Sequence, residues 1–122
     1  MLNEKNAMAT IAVRDAKAAR RFYEGILGLK IDSGNSMLYR SGASTLVIYE
    51  SEYAATNQAT SATWGVGGEL DAIVADLKAK GVTFEHYEMP DMTLEGDVHV
   101  MGEFKAVWLK DPDGNILHIN NQ

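Results

Sequence analysis

The hydrophobic and polar positions run through the same order twice. In the first half, Ala9 to Val13 ("ATIAV") is a short β-prone run, and Asp15 after it has the chemistry of a helix N-cap. Ala19, Phe22, Tyr23 and Ile26 then recur at helical spacing up to Leu27, where Gly28 offers a left-handed stop. Three strand-like stretches follow, Leu29 to Asp32, Ser36 to Arg40 and Thr45 to Glu50, with turns at Gly34-Asn35 and Ser41-Gly42. The predicted order is β-α-β-β-β.

The second half repeats it. Ser61 to Val66 ("SATWGV") is a strand with Trp64 on its core side, and Leu70, Ile73, Val74 and Leu77 form a helix stripe that Gly81 ends. Val82 to Tyr87, Phe104 to Lys110 and Asn115 to Asn120 complete the cycle. An offset of 53 residues carries Thr10 onto Thr63, Val13 onto Val66 and Gly28 onto Gly81. An offset of 70 carries Leu46-Val47-Ile48-Tyr49 onto Ile116-Leu117-His118-Ile119. A longer loop from Glu88 to Glu103 absorbs the difference, and its Met89, Met92 and Met101 suit a mobile apolar flap. The polar stretch Ser51 to Thr60 connects the halves.

The closing segment, "KDPDGNILHINNQ", introduces the chemistry. Asp111-Pro112-Asp113-Gly114 is a tight-turn sequence. Beyond it Ile116, His118 and Asn120 point to one face, and Leu117 and Ile119 to the other. His118 therefore lies off the plain apolar face, as a metal ligand, an acid/base group or a pocket wall. His86 and His99 have no ligand-like neighbour at useful spacing, and Arg20-Arg21, Lys78 and Lys80 answer the dipoles at helix C-termini.

Composition narrows the classes. A chain of 122 residues, 46% hydrophobic and 23% charged, can build a core without staples, and it has no cysteine for disulfides, thiolate sites or a thiol nucleophile. The net charge of −6 lacks the basic face that nucleic acid requires, and it tolerates a cationic ligand better than an anionic one. No apolar stretch is long enough for a membrane span, and the polar start does not read as a signal peptide, so a cytoplasmic location is expected.

The stretches "TIAVRDAKAARRFYEGILGL", "ELDAIVADLKAKGVTF" and "FKAVWLKDPDGNILHI" together resemble the vicinal oxygen chelate superfamily, which includes glyoxalase I, extradiol dioxygenases and the fosfomycin- and bleomycin-resistance proteins. The resemblance implies one α+β domain of two tandem βαβββ modules, residues 7–50 and 61–120 joined by 51–60, forming a curved mixed-sheet cup. It also implies four inward positions for metal ligands: Met8 and Ser61 at the first strands, Ile48 and His118 at the last. A thioether, a hydroxyl, an isoleucine and one imidazole cannot hold a divalent ion, which needs three or four converging donors. Glu50, two residues past Ile48, reaches the site only through a bulge or register slip. No metal or other cofactor is expected.

The resulting expectation is a ligand-sequestering protein of the bleomycin-resistance type. Its pocket is lined by Met8, Thr10, Leu46, Ile48, Ser61, Thr63, Trp108, Ile116 and His118 and takes a cationic or aromatic compound. The alternative is a glyoxalase-like lyase or isomerase, with or without a divalent metal, in which His118, with Glu50, moves protons. The resemblance further implies a C2 homodimer.

Overall fold

The computed structural model describes all 122 residues, Met1 to Gln122. They form two compact units divided between Asn57 and Gln58, inside the polar connector. Each unit is built on its own mixed sheet with one main helical segment, so the class is α+β.

In module one, strands β1 (Ala9–Val13), β2 (Lys30–Asp32), β3 (Asn35–Ser41) and β4 (Ser44–Glu50) lie in the order β1-β4-β3-β2, with β1 parallel to β4 and the rest antiparallel. Helix α1 (Ala16–Arg20) starts where Asp15 accepts the N–H groups of Lys17 (2.9 Å) and Ala18 (3.3 Å). It continues as a π-helical turn, Arg21–Ile26, and ends at Gly28, whose φ of 75° a residue with a Cβ adopts only under strain. Ile11, Val13, Tyr39, Leu46 and Ile48 are buried on one side of the sheet. Tyr23 of the helical segment meets Tyr39 there with ring centroids 6.1 Å apart, which identifies that side as the helix side.

Module two has the same wiring with an insertion. Strand β5 (Thr60–Gly65) is parallel to the last strand, β10 (Ile116–Asn120), which pairs antiparallel with β9 (Phe104–Lys110). The stripe Leu70, Val74 and Leu77 of α2 (Leu70–Ala79) is buried together with Phe84, Val107, Leu109, Leu117 and Ile119, which alternate onto one side of the sheet. Burial of side chains this size contributes about 1.5–3 kcal/mol each. The strand expected over 82–87 is only two residues long, β6 (Phe84–Glu85), paired to β9.

The segment 88–103, expected to be a loop, is partly strand. Its second half is a hairpin, β7 (Thr93–Glu95) and β8 (Val98–Met101), and β8 pairs with β9 beyond the end of β6. Two-residue loops at Gly96-Asp97 and Gly102-Glu103 close it, each with glycine at positive φ (61° and 59°). Asp97 in the first loop bonds both Lys78 of α2 and His86 at 2.8 Å, so that Lys78 ties the hairpin to the helix besides answering the dipole.

Strand pairing also corrects the internal correspondence. Thr10 faces Val47 and Ile11 faces Ile48; Thr63 faces His118 and Trp64 faces Ile119. With Thr10 equivalent to Thr63, the partner of His118 is Val47 and that of Ile119 is Ile48, an offset of 71 rather than 70 (118 minus 47). A one-residue slip exchanges the faces of a strand. Leu46 and Ile48 accordingly belong to the core, each 5% exposed.

Candidate functional site

The side of the module-two sheet away from its apolar core carries an unusual group of side chains. His118 of β10 lies opposite Trp108 of β9 and Thr63 of β5, while His99 of β8 lies opposite Ala106. The Asp111 turn sets this register. Asp111 Oδ1 accepts the N–H groups of Asp113 and Asn115 (both 2.9 Å), Oδ2 accepts the Asn115 amide (2.8 Å), and Gly114, at φ 96°, donates to the Asp111 carbonyl (3.0 Å). β9 thus returns as β10 with Trp108 beside His118.

Aromatic contacts make the group continuous. The Trp108 and His118 rings are 4.4 Å apart and inclined by 37°; His99 meets Trp108 edge-on at 4.8 Å, and Tyr87 does so at 5.7 Å. His99 is 1% exposed and His118 9%. Tyr87 N–H donates to His99 Nε2 (2.9 Å), and the Asn120 amide donates to His118 Nε2 (3.1 Å). Three polar atoms remain buried without a hydrogen bond: Tyr87 Oη, His99 Nδ1 and His118 Nδ1. Burial lowers the His118 pKa, the Val107 backbone opposes this, and His99 acts in the same direction as burial. Burial also raises the Tyr87 hydroxyl, helped by Glu85 and opposed by Lys110. Glu85 and Lys110 pair at 3.1 Å on the same face. Beside the cluster, a hollow of about 480 Å³ is lined by Tyr87, His99, Met89, Met92 and Leu94 among others.

The residues expected in the pocket divide between faces and modules. Thr63, Trp108, Ile116 and His118 share the face just described, and Ser61 sits at an irregularity between Thr60 and Ala62 at the start of β5. Met8, 51% exposed, precedes β1, and Thr10 lies beside Val47 on the side of module one away from its helix. Leu46 and Ile48 are on the helix side, away from the Thr10 face, and Ile48 borders a hollow there with Lys17, Arg20 and Tyr39. Glu50 shares their side: its Oε1 accepts the Ala16 N–H (3.0 Å) at the start of α1. It is a helix-end acceptor, because a carboxylate there meets an otherwise unpaired N–H.

The donor set does not fit a divalent ion. At the positions the resemblance marks stand Met8, Ser61, Val47 in place of Ile48, and His118. No three His, Cys, Asp or Glu side chains gather anywhere in the chain. The Nε2 lone pairs of both His99 and His118 are already taken by N–H donors.

A profile of the Glyoxalase/Bleomycin resistance protein/Dioxygenase superfamily matches residues 6–119. The chain belongs to this superfamily. No curated protein matches it significantly. Solved structures of similar fold include the fosfomycin resistance protein FosX from Mesorhizobium loti, at 13% identity over 98% of this chain and 92% of that one, with a TM-score of 0.69. The virulence protein STM3117 from Salmonella typhimurium is 21% identical over 98% of both chains with a TM-score of 0.65. The oxidase ChaP-H2 is 22% identical over 97% of this chain and 94% of that chain, with a TM-score of 0.70. A resistance protein and an oxidase on one superfamily fold show that the fold leaves the chemistry open. No helix is long and apolar enough to cross a membrane.

Three site residues are missing from the expected pocket: Tyr87, His99 and Asn120. The signal for His99 is present in "TLEGDVHVMGEF", where two Gly-acid pairs flank the alternating V-H-V-M. Asn120 is marked only by sharing the alternating face of His118, and nothing in the sequence marks Tyr87.

Proposed function

We propose that the protein binds a small molecule on the Trp108–His118 face of module two without a divalent metal, as a ligand-sequestering member of the superfamily of the bleomycin-resistance type. The observation that carries this reading is the trio of buried, unpartnered polar atoms around one indole. An unmade hydrogen bond costs about 1–3 kcal/mol per buried group, a cost that persists in a native structure where an incoming molecule meets the group. Trp108 supplies a flat apolar wall, and Thr63 and Ile116 flank His118. The only carboxylate placed by pairing on that face, Glu85, is matched by Lys110, which favours an aromatic over a cationic ligand.

The second reading, a lyase or isomerase with His118 as proton carrier, draws on the lowered His118 pKa, which keeps the ring neutral at pH 7. Two observations weigh against it. The Asn120 amide occupies the basic Nε2 of His118, and Glu50 is committed to α1. The assembly we favour is a C2 homodimer, because each module ends in strands with one edge unpaired inside it (β1 and β2, β5 and β7).

Thermal-shift screening of small aromatic compounds in the presence of EDTA tests the proposal. Stabilising compounds should bind once per chain, be recovered unchanged, and lose their effect in Trp108→Ala and His118→Ala. Hits that need a divalent ion, or that are turned over, contradict it.

A further inference from the structure

The hydrogen bonds at the two buried imidazoles fix where their protons are. The Tyr87 backbone N–H can only donate, so His99 Nε2 must accept and the single proton of the neutral ring resides on Nδ1. At His118 a second hydrogen bond takes part. The Gln122 N–H donates to Asn120 Oδ1 at 3.1 Å, which turns the Asn120 Nδ2 toward His118 Nε2 at 3.1 Å. His118 Nε2 must then accept as well, and its proton also lies on Nδ1. Both Nδ1 atoms are buried and unpartnered, and both rings lie within 5 Å of the same indole (4.8 and 4.4 Å). The Tyr87 hydroxyl, a third buried group without a partner, is available to donate beside them.

The geometry points to a site whose ligand is a flat molecule bearing acceptor oxygens, a carbonyl or a carboxylate, received by the Nδ1–H donors of His99 and His118 against the Trp108 indole. Asn120 acts as a positioning residue that holds His118 in this tautomer. The inference rests on the binding reading above and sharpens it from aromatic ligands in general to acceptor-bearing ones. It also separates the site from one selecting a cation, since N–H donors repel a donor-only head group.

Two measurements on the intact protein test it. Long-range ¹H–¹⁵N correlation spectra of the imidazole nitrogens should show His99 and His118 neutral with the proton on Nδ1; a proton on Nε2 of either ring overturns the assignment. Asn120→Asp replaces the donor by an acceptor and should move the His118 proton to Nε2 while leaving that of His99 in place; an unchanged His118 tautomer overturns the role of Asn120. For the ligand class, benzoate and benzamidinium form a matched flat pair, one acceptor-only and the other donor-only. At millimolar concentration in EDTA, benzoate should shift the Trp108, His99 and His118 resonances, and benzamidinium should not. Equal or stronger shifts from benzamidinium overturn the acceptor preference but leave a binding face. Shifts from neither overturn the binding reading itself.

Discussion

The Asn120 side-chain amide donates to His118 Nε2 at 3.1 Å, and the amide is itself oriented by the Gln122 N–H on its Oδ1. Two residues apart on β10, Asn120 and His118 share a face, so the pair is a direct product of strand periodicity. A histidine held this way is a hydrogen-bond donor through its other nitrogen and a poor base.

Removing the amide should therefore free the base. In Asn120→Ala, the His118 pKa should rise toward the ordinary imidazole value, because a bond that favours the neutral ring is lost. Stability should fall by roughly 1 kcal/mol. NMR titration of the His118 ring and denaturant unfolding check the two effects.

Stability should depend on pH through the same ring. Burial lowers the folded-state pKa of His118 below 6.5, so the unfolded chain takes up a proton before the folded one does. The neutral ring's contribution is complete above about pH 6.5, decreases as the pH falls through that value, and stops changing below the folded pKa. Asp97, held low by Lys78 and His86, adds a second loss, beginning below the ordinary carboxylate value and continuing down to its depressed pKa. Melting temperature followed from pH 8 to 3 should show both stages, and His118→Gln should remove the upper one.

Gly65 should tolerate no side chain. A Cβ there would meet the Gln122 carbonyl oxygen at 2.9 Å, in the segment whose N–H orients Asn120. Gly65→Ala should cost about 1–3 kcal/mol by overpacking and shift the His118 resonances. Gly68→Ala, where nothing lies within 4 Å, should do neither.

Glu50 provides a test of the corrected register. Glu50→Ala removes the acceptor for the Ala16 N–H and should destabilise module one by about 0.5–1.5 kcal/mol without changing ligand affinity at Trp108. Loss of affinity would return Glu50 to the site.

Most of this architecture is readable from the sequence, and the gaps have specific causes. Asp15, Gly28 and Gly81 mark the helix limits, and the alternation of His118 with Leu117 and Ile119 separates its face correctly. The register of β4 escapes because Leu46, Val47, Ile48 and Tyr49 are all apolar, so a period of two leaves no trace in them. Thr10 opposite Val47 becomes visible only through backbone pairing. The hairpin at 93–101 is obscured by Met101 and its acidic residues, although its two glycine loops carry the turn chemistry. His99 and Tyr87 enter the site through tertiary placement of β8 and of the segment after β6, which no spacing rule relates to Trp108.

The most direct measurement uses the two tryptophans, Trp64 and Trp108, as reporters. Protein labelled with 5-fluorotryptophan gives one ¹⁹F signal from each, assigned with Trp64→Phe, and is screened against small aromatic compounds in EDTA. Binding compounds should move the Trp108 signal and leave that of Trp64 in place. Compounds that move only Trp64, or that move Trp108 only after a divalent ion is supplied, would contradict it.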